Sequence, residues 1–279
     1  MLLLSVSCRE DTPPEPYSYP LHEGNRWHYE RNTVMISYAD TLNPGNIDSS
    51  RSISAEALVT VMGEVLLRDG FPAYELNGIA YFETEDGLDT SQGASYYRQE
   101  SNGLYLIGYL GGGTIALPKE SPDMMPSASY VFRGRKFATL RALSAWLQLD
   151  ILGGARTASD SIYYEDPPPR VIPYPPDVGT TWTYREDHNP FRMDKVIEGQ
   201  VELTVPAGTF ECFTVRWLWD FNSDGEWDTD IEAIDYVGAG GLIKREINVT
   251  GVKWQDVNSD LHCCRDYRDS YLLLSVSIE

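Results

Sequence analysis

Apolar and polar residues alternate along most of the chain. From Trp27 through His28 to Tyr29 the large rings fall at i and i+2, the period at which side chains share one face of a strand. Similar short runs recur between turn residues, at Gly70–Leu76, at Tyr96–Tyr109 around Asn102-Gly103, at Gly208–Val215, at Ile234–Ile247 and at Leu272–Ser277. Asn-Gly between apolar runs marks a hairpin, because the favoured two-residue turn needs positive φ at both central positions. The pattern predicts a mainly β fold of antiparallel sheets, arranged as a curved sheet or half-barrel. One segment departs from it. Within Arg135–Leu152, Phe137, Leu140, Leu143, Leu147 and Ile151 follow helical spacing, and Gly153-Gly154 ends the run. This helix is expected to lie across a barrel mouth or to pack on a sheet face. Its basic residues cluster only at the N-terminal end, which argues against the alternative of a membrane-surface helix.

Two stretches share the frame Y-P-x3-G-x2-W-x-Y: Tyr19 to Tyr29, through Gly24 and Trp27, and Tyr174 to Tyr184, through Gly179 and Trp182. Proline keeps the approach extended, glycine makes the turn, and Trp and Tyr two apart point to one face. Trp27, Tyr29, Trp182 and Tyr184 are therefore read as core anchors, with a ligand platform as the alternative. Later matches keep the same order, Gly70–Leu76 with Gly208–Val215 and Tyr96–Tyr109 with Ile234–Ile247. We therefore expect two related β units, 19–134 and 173–279, joined by a helix and linker at 135–172. The offset between copies shortens after the first match, which predicts an extra loop in the first unit near Asn43–Ser52.

The N-terminus reads as an address. Residues 1–8 are apolar or small and end in Cys8, after which the chain turns polar and Pro-rich over 9–18. This resembles the end of a bacterial lipoprotein signal, in which Cys8 carries the lipids and Pro13, Pro14 and Pro16 stiffen a tether. The bland alternative is an apolar terminus with an incidental cysteine, since Leu272–Ser277 repeats nearly the same letters in an expected strand. Cys212 pairing with Cys263 or Cys264 suits an oxidising compartment; three reduced thiols are the alternative. No Cys-x2-Cys spacing points to zinc.

Charge changes the picture once more. The chain has 22 Lys+Arg against 42 Asp+Glu, a net charge of −20, which would repel a phosphate backbone and excludes nucleic acid as a partner. The acids concentrate at Asp220, Asp224, Glu226, Asp228 and Asp230, with the amide Asn222 among them and Gly225 in the middle. D-x-N-x-D-G places oxygen ligands around a tight turn, as Ca²⁺ requires. The EF-hand spacing then fails, because its twelfth position is Ile231. A modified calcium loop and a plain acidic turn both fit. Hydrolase and nucleotide-binding templates are missing: no H-E-x-x-H, G-x-S-x-G or phosphate loop occurs, and Gly111–Gly113 lead into Thr114-Ile115 rather than a helix. Glu83, Glu85 and Asp86 are a chance-level candidate for paired carboxylates.

The shared frame, the run Val205–Cys212 and the run Tyr236–Lys244 resemble a loose group of uncharacterised bacterial surface lipoproteins with the pattern YPLxxGxxWxY, VPAGTFxC and YxxGxGLVK. The resemblance implies a secreted or lipid-anchored β-rich protein and carries no catalytic residues. The reading from sequence is a non-enzymatic cell-envelope lipoprotein, held at a membrane through its lipid anchor, that binds a ligand or protein partner on a β scaffold. Rival readings are a metal-assisted secreted hydrolase using the acidic loop and a pure structural or adhesion module. No cofactor is implied beyond Ca²⁺.

Overall fold

Turn residues cut the chain into strands, and within each of the two long runs every strand pairs with its successor. The computed structural model describes residues 17–38, 47–84, 87–110, 129–147, 161–187, 191–255, 258 and 260–279. The first meander comprises β1 (Arg26–Tyr38), β2 (Ile47–Leu66), β3 (Pro72–Thr84), β4 (Gly87–Glu100) and β5 (Gly103–Leu110). A short insert follows, with β6 (Ser129–Phe132), β7 (Arg135–Phe137) and α1 (Leu140–Trp146), then β8 (Tyr163–Tyr164) and β9 (Arg170–Pro173). The second meander comprises β10 (Thr181–Asp187), β11 (Phe191–Val205), β12 (Gly208–Asp220), β13 (Ile231–Gly238) and β14 (Gly241–Gln255), and β15 (Leu261–Ser277) follows.

These strands make one antiparallel sheet ordered β10-β11-β12-β13-β14-β15-β1-β2-β3-β4-β5. β8 and β9 both pair with β5, β6 pairs with β14, and β7 pairs with β6. β15 thus lies between the meanders, with Tyr271 opposite Arg31 on one side and Arg245 on the other. The two expected units therefore share a sheet and a core. One apolar cluster holds Trp27, Tyr97 and Leu106 together with Trp182, Trp217 and Val249. The sheet does not close by strand pairing. Its edges are bridged instead by side chains: Trp182 Nε1–H donates to Arg170 O at 2.8 Å, and Arg185 pairs with Glu165. A smaller cluster, Leu67, Ala73, Ala94, Tyr96 and Ile107, lies on the opposite face of β3–β5 under Ile162 and Tyr164.

The sheet has two ends. One, the turn end, gathers the β2–β3, β4–β5, β11–β12 and β13–β14 turns with Gly24 and Gly179. The other is plugged by the insert. Phe137, Leu140, Leu143 and Leu147 are all buried in the main core, Trp146 stacks on Phe221 at 4.7 Å, and Trp219 Nε1–H donates to Leu147 O at 3.3 Å.

Four expectations shift. The helix is shorter than its apolar spacing implied. Arg135–Phe137 is strand, because the Arg133-Gly134 turn folds it back on β6, and Thr139 Oγ1 then caps the helix by accepting from Ala142 N–H at 3.0 Å. Ile151 lies outside the described residues. The extra loop near Asn43–Ser52 is narrower, since Ile47 to Ser52 extend β2 against β1. The linker contributes strand β9. The tether ends sooner than residue 18: Tyr17 is half-buried, and its hydroxyl donates to Gly238 O at 3.3 Å.

Candidate functional site

The two Y-P-x3-G-x2-W-x-Y copies make matching turns. Gly24 has φ +91° and Gly179 φ +90°, a left-handed conformation that a Cβ would strain. Gly24 N–H donates to Val61 O at 2.9 Å, and Gly179 N–H donates to Ile197 O at 2.7 Å. Asn25 N–H reaches His22 O, and Thr180 N–H reaches Asp177 O, both at 3.1 Å. Each turn delivers its tryptophan inward, Trp27 at 1% exposure and Trp182 at 5%. Trp27 Nε1–H donates to Gly240 O at 2.6 Å and the Tyr29 hydroxyl donates to Leu242 O at 2.9 Å. Tyr184 packs on Trp217 with ring centres 5.3 Å apart. All four rings lie in the main core.

What faces those rings differs. Opposite Trp27 stands Val59; opposite Trp182 stands Lys195. Lys195 is buried, and its Nζ sits 3.9 Å from the centre of the Tyr184 ring and 3.7 Å from that of Trp217, a cation–π arrangement when charged. Burial pushes its amine well below the usual value; Asp235 pulls it back up, and Arg245 and Arg185 push it further down. Asp235 itself is held by Arg245 and accepts from Trp217 Nε1–H at 2.9 Å. A second buried pair joins Arg31 to Asp269 at 2.5 and 3.1 Å. Thr33 Oγ1 and the Tyr267 hydroxyl each donate to the same carboxylate at 2.9 Å. Burial lifts the Tyr19 hydroxyl to about 12. Among the described residues an interior void of about 30 Å³ is lined by Tyr19, Tyr97, Leu104, Asp235, Leu242 and Arg245 among others, which is room for about one water.

The acidic loop between β12 and β13 is closed by its own hydrogen bonds and by ion pairs to Arg133. Asp220 Oδ2 accepts from Gly225 N–H at 3.0 Å, and Asp228 Oδ2 accepts from Phe221 N–H at 2.8 Å. Asn222 Nδ2–H donates to Asp224 at 2.6 Å, and Glu226 N–H donates to Asp224 Oδ1 at 2.9 Å. Asp228 and Asp230 both pair with Arg133, at 2.6 and 2.5 Å. The guanidinium, carried by the plug, stands where the loop's charge is densest. No three His, Cys, Asp or Glu groups among the described residues converge to hold a metal.

The expected disulfide is corrected. Cys212 is a buried free thiol, pushed up to about 11 by burial. It pairs with Gly238 beside the β13–β14 turn, whereas Cys263 and Cys264 lie on β15 near the far end of β14, next to the Val252–Arg265 and Trp254–His262 pairs. Roughly 35 Å of strand separates the two places at about 3.3 Å per residue, far beyond a disulfide. Cys8, Gly111–Gly113, Glu85 and Asp86 lie outside the described residues.

Outside the sheet, β1, β2, β3 and β15 form a groove of about 360 Å³. Its lining includes Arg26, His28, Leu58, Tyr81, Ser275 and Val276. His28 Nε2 lies 3.0 Å from Glu56 on the neighbouring strand. Alternation puts His28 outward between two inward rings, so its exposure was readable; that Leu58 and Tyr81 complete a recess with it depends on strand register, which was not.

No helix among the described residues is long and apolar enough to cross a membrane. No family model matches the chain, and no curated protein matches it. Two solved structures do. One is a "putative lipoprotein" from Parabacteroides distasonis, with 15% identity, TM-score 0.33, covering 94% of this chain and 99% of that one. The other is a "putative exported protein with YmcC-like fold" from Bacteroides fragilis, with 11% identity, TM-score 0.35 and the same coverage. Likeness at this level transfers no site and no role.

Proposed function

We propose that this chain is a lipid-anchored protein of the cell envelope that binds its ligand on the outer face of the sheet rather than in a central cavity. The observation that carries this is the outer groove of about 360 Å³, set against an interior void of about 30 Å³ beside Tyr19, Asp235 and Arg245 among the described residues. The groove offers one aromatic ring, Tyr81, two aliphatic side chains, Leu58 and Val276, and polar groups from Arg26, His28 and Ser275. Such a mixture suits a ligand with apolar faces and hydroxyls, as a saccharide has. The anchor is Cys8, supported by the composition break that follows it. Calcium stays a secondary reading, in which the ion would have to displace Arg133 from Asp228 and Asp230.

Titration of isotope-labelled protein with neutral cell-wall oligosaccharides tests the groove. Amide shifts clustered at Arg26, Leu58, Tyr81 and Val276 are expected; shifts elsewhere, or none, defeat it. Labelling cells with an alkyne-bearing fatty acid tests the anchor, and Cys8→Ala is expected to abolish the label and move the protein out of the membrane fraction.

A further inference from the structure

Sheet hairpins at the turn end have unlike tips. At the β11–β12 tip, Val205 is buried and Ala207 N–H donates to Leu273 O at 3.3 Å. At the β2–β3 tip, Leu66 is 74% exposed and Phe71 54%. Met62 on the same hairpin and Val178 in the Gly179 turn are also exposed. These open apolar side chains sit on a hairpin that runs past the β1 partner Thr60 by a further six residues, where they present apolar surface to solvent.

The first described residues settle at this same end. Tyr17 bonds to Gly238 beside the β13–β14 turn, and the chain then crosses to Val61 on β2 through Gly24. Cys8 precedes Tyr17 by nine residues, so covalent geometry keeps it within about 30 Å of Tyr17. β1 alone, at 13 residues, spans about 40 Å. A lipid on Cys8 therefore holds the turn end, not the plugged end, toward the bilayer.

Resting on the lipid-anchor reading, we propose that the β2–β3 tip is a membrane-contact surface, on which Leu66 and Phe71 enter the headgroup layer and fix the orientation of the anchored protein. The occupant is a lipid surface of low charge, since a chain of net charge −20 is repelled by anionic lipid. One acyl signal alone holds a protein weakly and leaves it free to tumble, and apolar side chains beside it supply a second contact.

The test uses the full acylated chain in phosphatidylcholine vesicles containing brominated lipid, which quenches nearby indoles. Phe71→Trp is compared with Leu88→Trp, an exposed position at the start of β4, at the opposite end of the sheet. The tryptophan added at 71 is expected to lose at least twofold more emission than the one at 88. Equal or reversed quenching overturns the proposal. Intact mass reads the acyl group separately: an acylated chain with equal quenching refutes the orientation alone, and a chain without acyl refutes the anchor itself. Hydrogen exchange on the unmodified acylated chain checks the result without substitution. Slower exchange at residues 66–71 on vesicles than in detergent, with residues 87–90 unchanged, is expected, and no slowing at 66–71 counts against the contact.

Discussion

Trp27 and Trp182 stand in matching turns and meet different neighbours. Trp27 faces Val59 and ties its indole to Gly240 on the other meander. Trp182 faces Lys195 and ties its indole to Arg170, on the strand just before it. The same local letters thus give the same turn, while cross-strand register decides what the ring packs against. The first ring fastens two parts of the sheet; the second stands opposite a buried lysine and bridges the open seam.

Three changes probe that contrast. The largest effect is expected from truncating the rings. Trp27→Ala and Trp182→Ala should each cost about 3–5 kcal/mol, measured as a lower denaturant midpoint. Trp27→Ala should be the worse of the two, because the carbonyl it orphans, Gly240 O, is buried, whereas Arg170 O, orphaned by Trp182→Ala, is only half-buried. If Trp182→Ala is the costlier, the seam matters more than the junction between meanders.

Next comes Lys195→Met, which makes the second site resemble the first. A buried amine without an ion pair is a cost, so the variant is expected to be more stable by roughly 1–3 kcal/mol near neutral pH. The pH dependence carries a sign. The folded amine titrates well below its usual value, so between that lowered value and about 10.5 the unfolded chain binds more protons. Wild-type stability should therefore rise with pH across that window, and the advantage of Lys195→Met should shrink. An advantage that holds constant to high pH would mean that packing, not charge, explains it.

The smallest effect separates backbone from neighbourhood. A Cβ at Gly24 or at Gly179 would meet nothing within 4 Å, so Gly24→Ala and Gly179→Ala should each cost only the left-handed strain, about 1–2 kcal/mol. Equal midpoint shifts would show that the turns are alike; a twofold difference would show that they are not.

Much of the fold was legible because it rests on local rules. Alternation gave the strands, Asn102-Gly103 gave a hairpin, and Gly24 and Gly179 marked turns that only glycine makes without strain. The apolar spacing at Phe137, Leu140, Leu143 and Leu147 identified buried positions correctly even where the element is a strand and a shorter helix. The interior charges were harder. Arg31 is two residues beyond Tyr29 on the inward face, so alternation alone could have placed it inside. Its partner Asp269 is 238 residues away, and no local pattern joins them. Lys195 was less accessible still: Asp194 and Lys195 are consecutive and both buried, which breaks the alternation. The acidic loop was found by composition, but Arg133, its counter-charge, comes from a separate insert.

The position of β15 has a consequence for how the molecule assembles. β1 leaves the ribosome before β2 to β14, and β15, one of its two neighbours, follows all of them. The sheet's central seam therefore joins segments more than two hundred residues apart, and closing so large a loop is slow. Until residues 261–277 arrive, Arg31 has no Asp269 and the two meanders have no shared strand. Completion of the native sheet is thus tied to synthesis of β15, with the two meanders unjoined until it emerges.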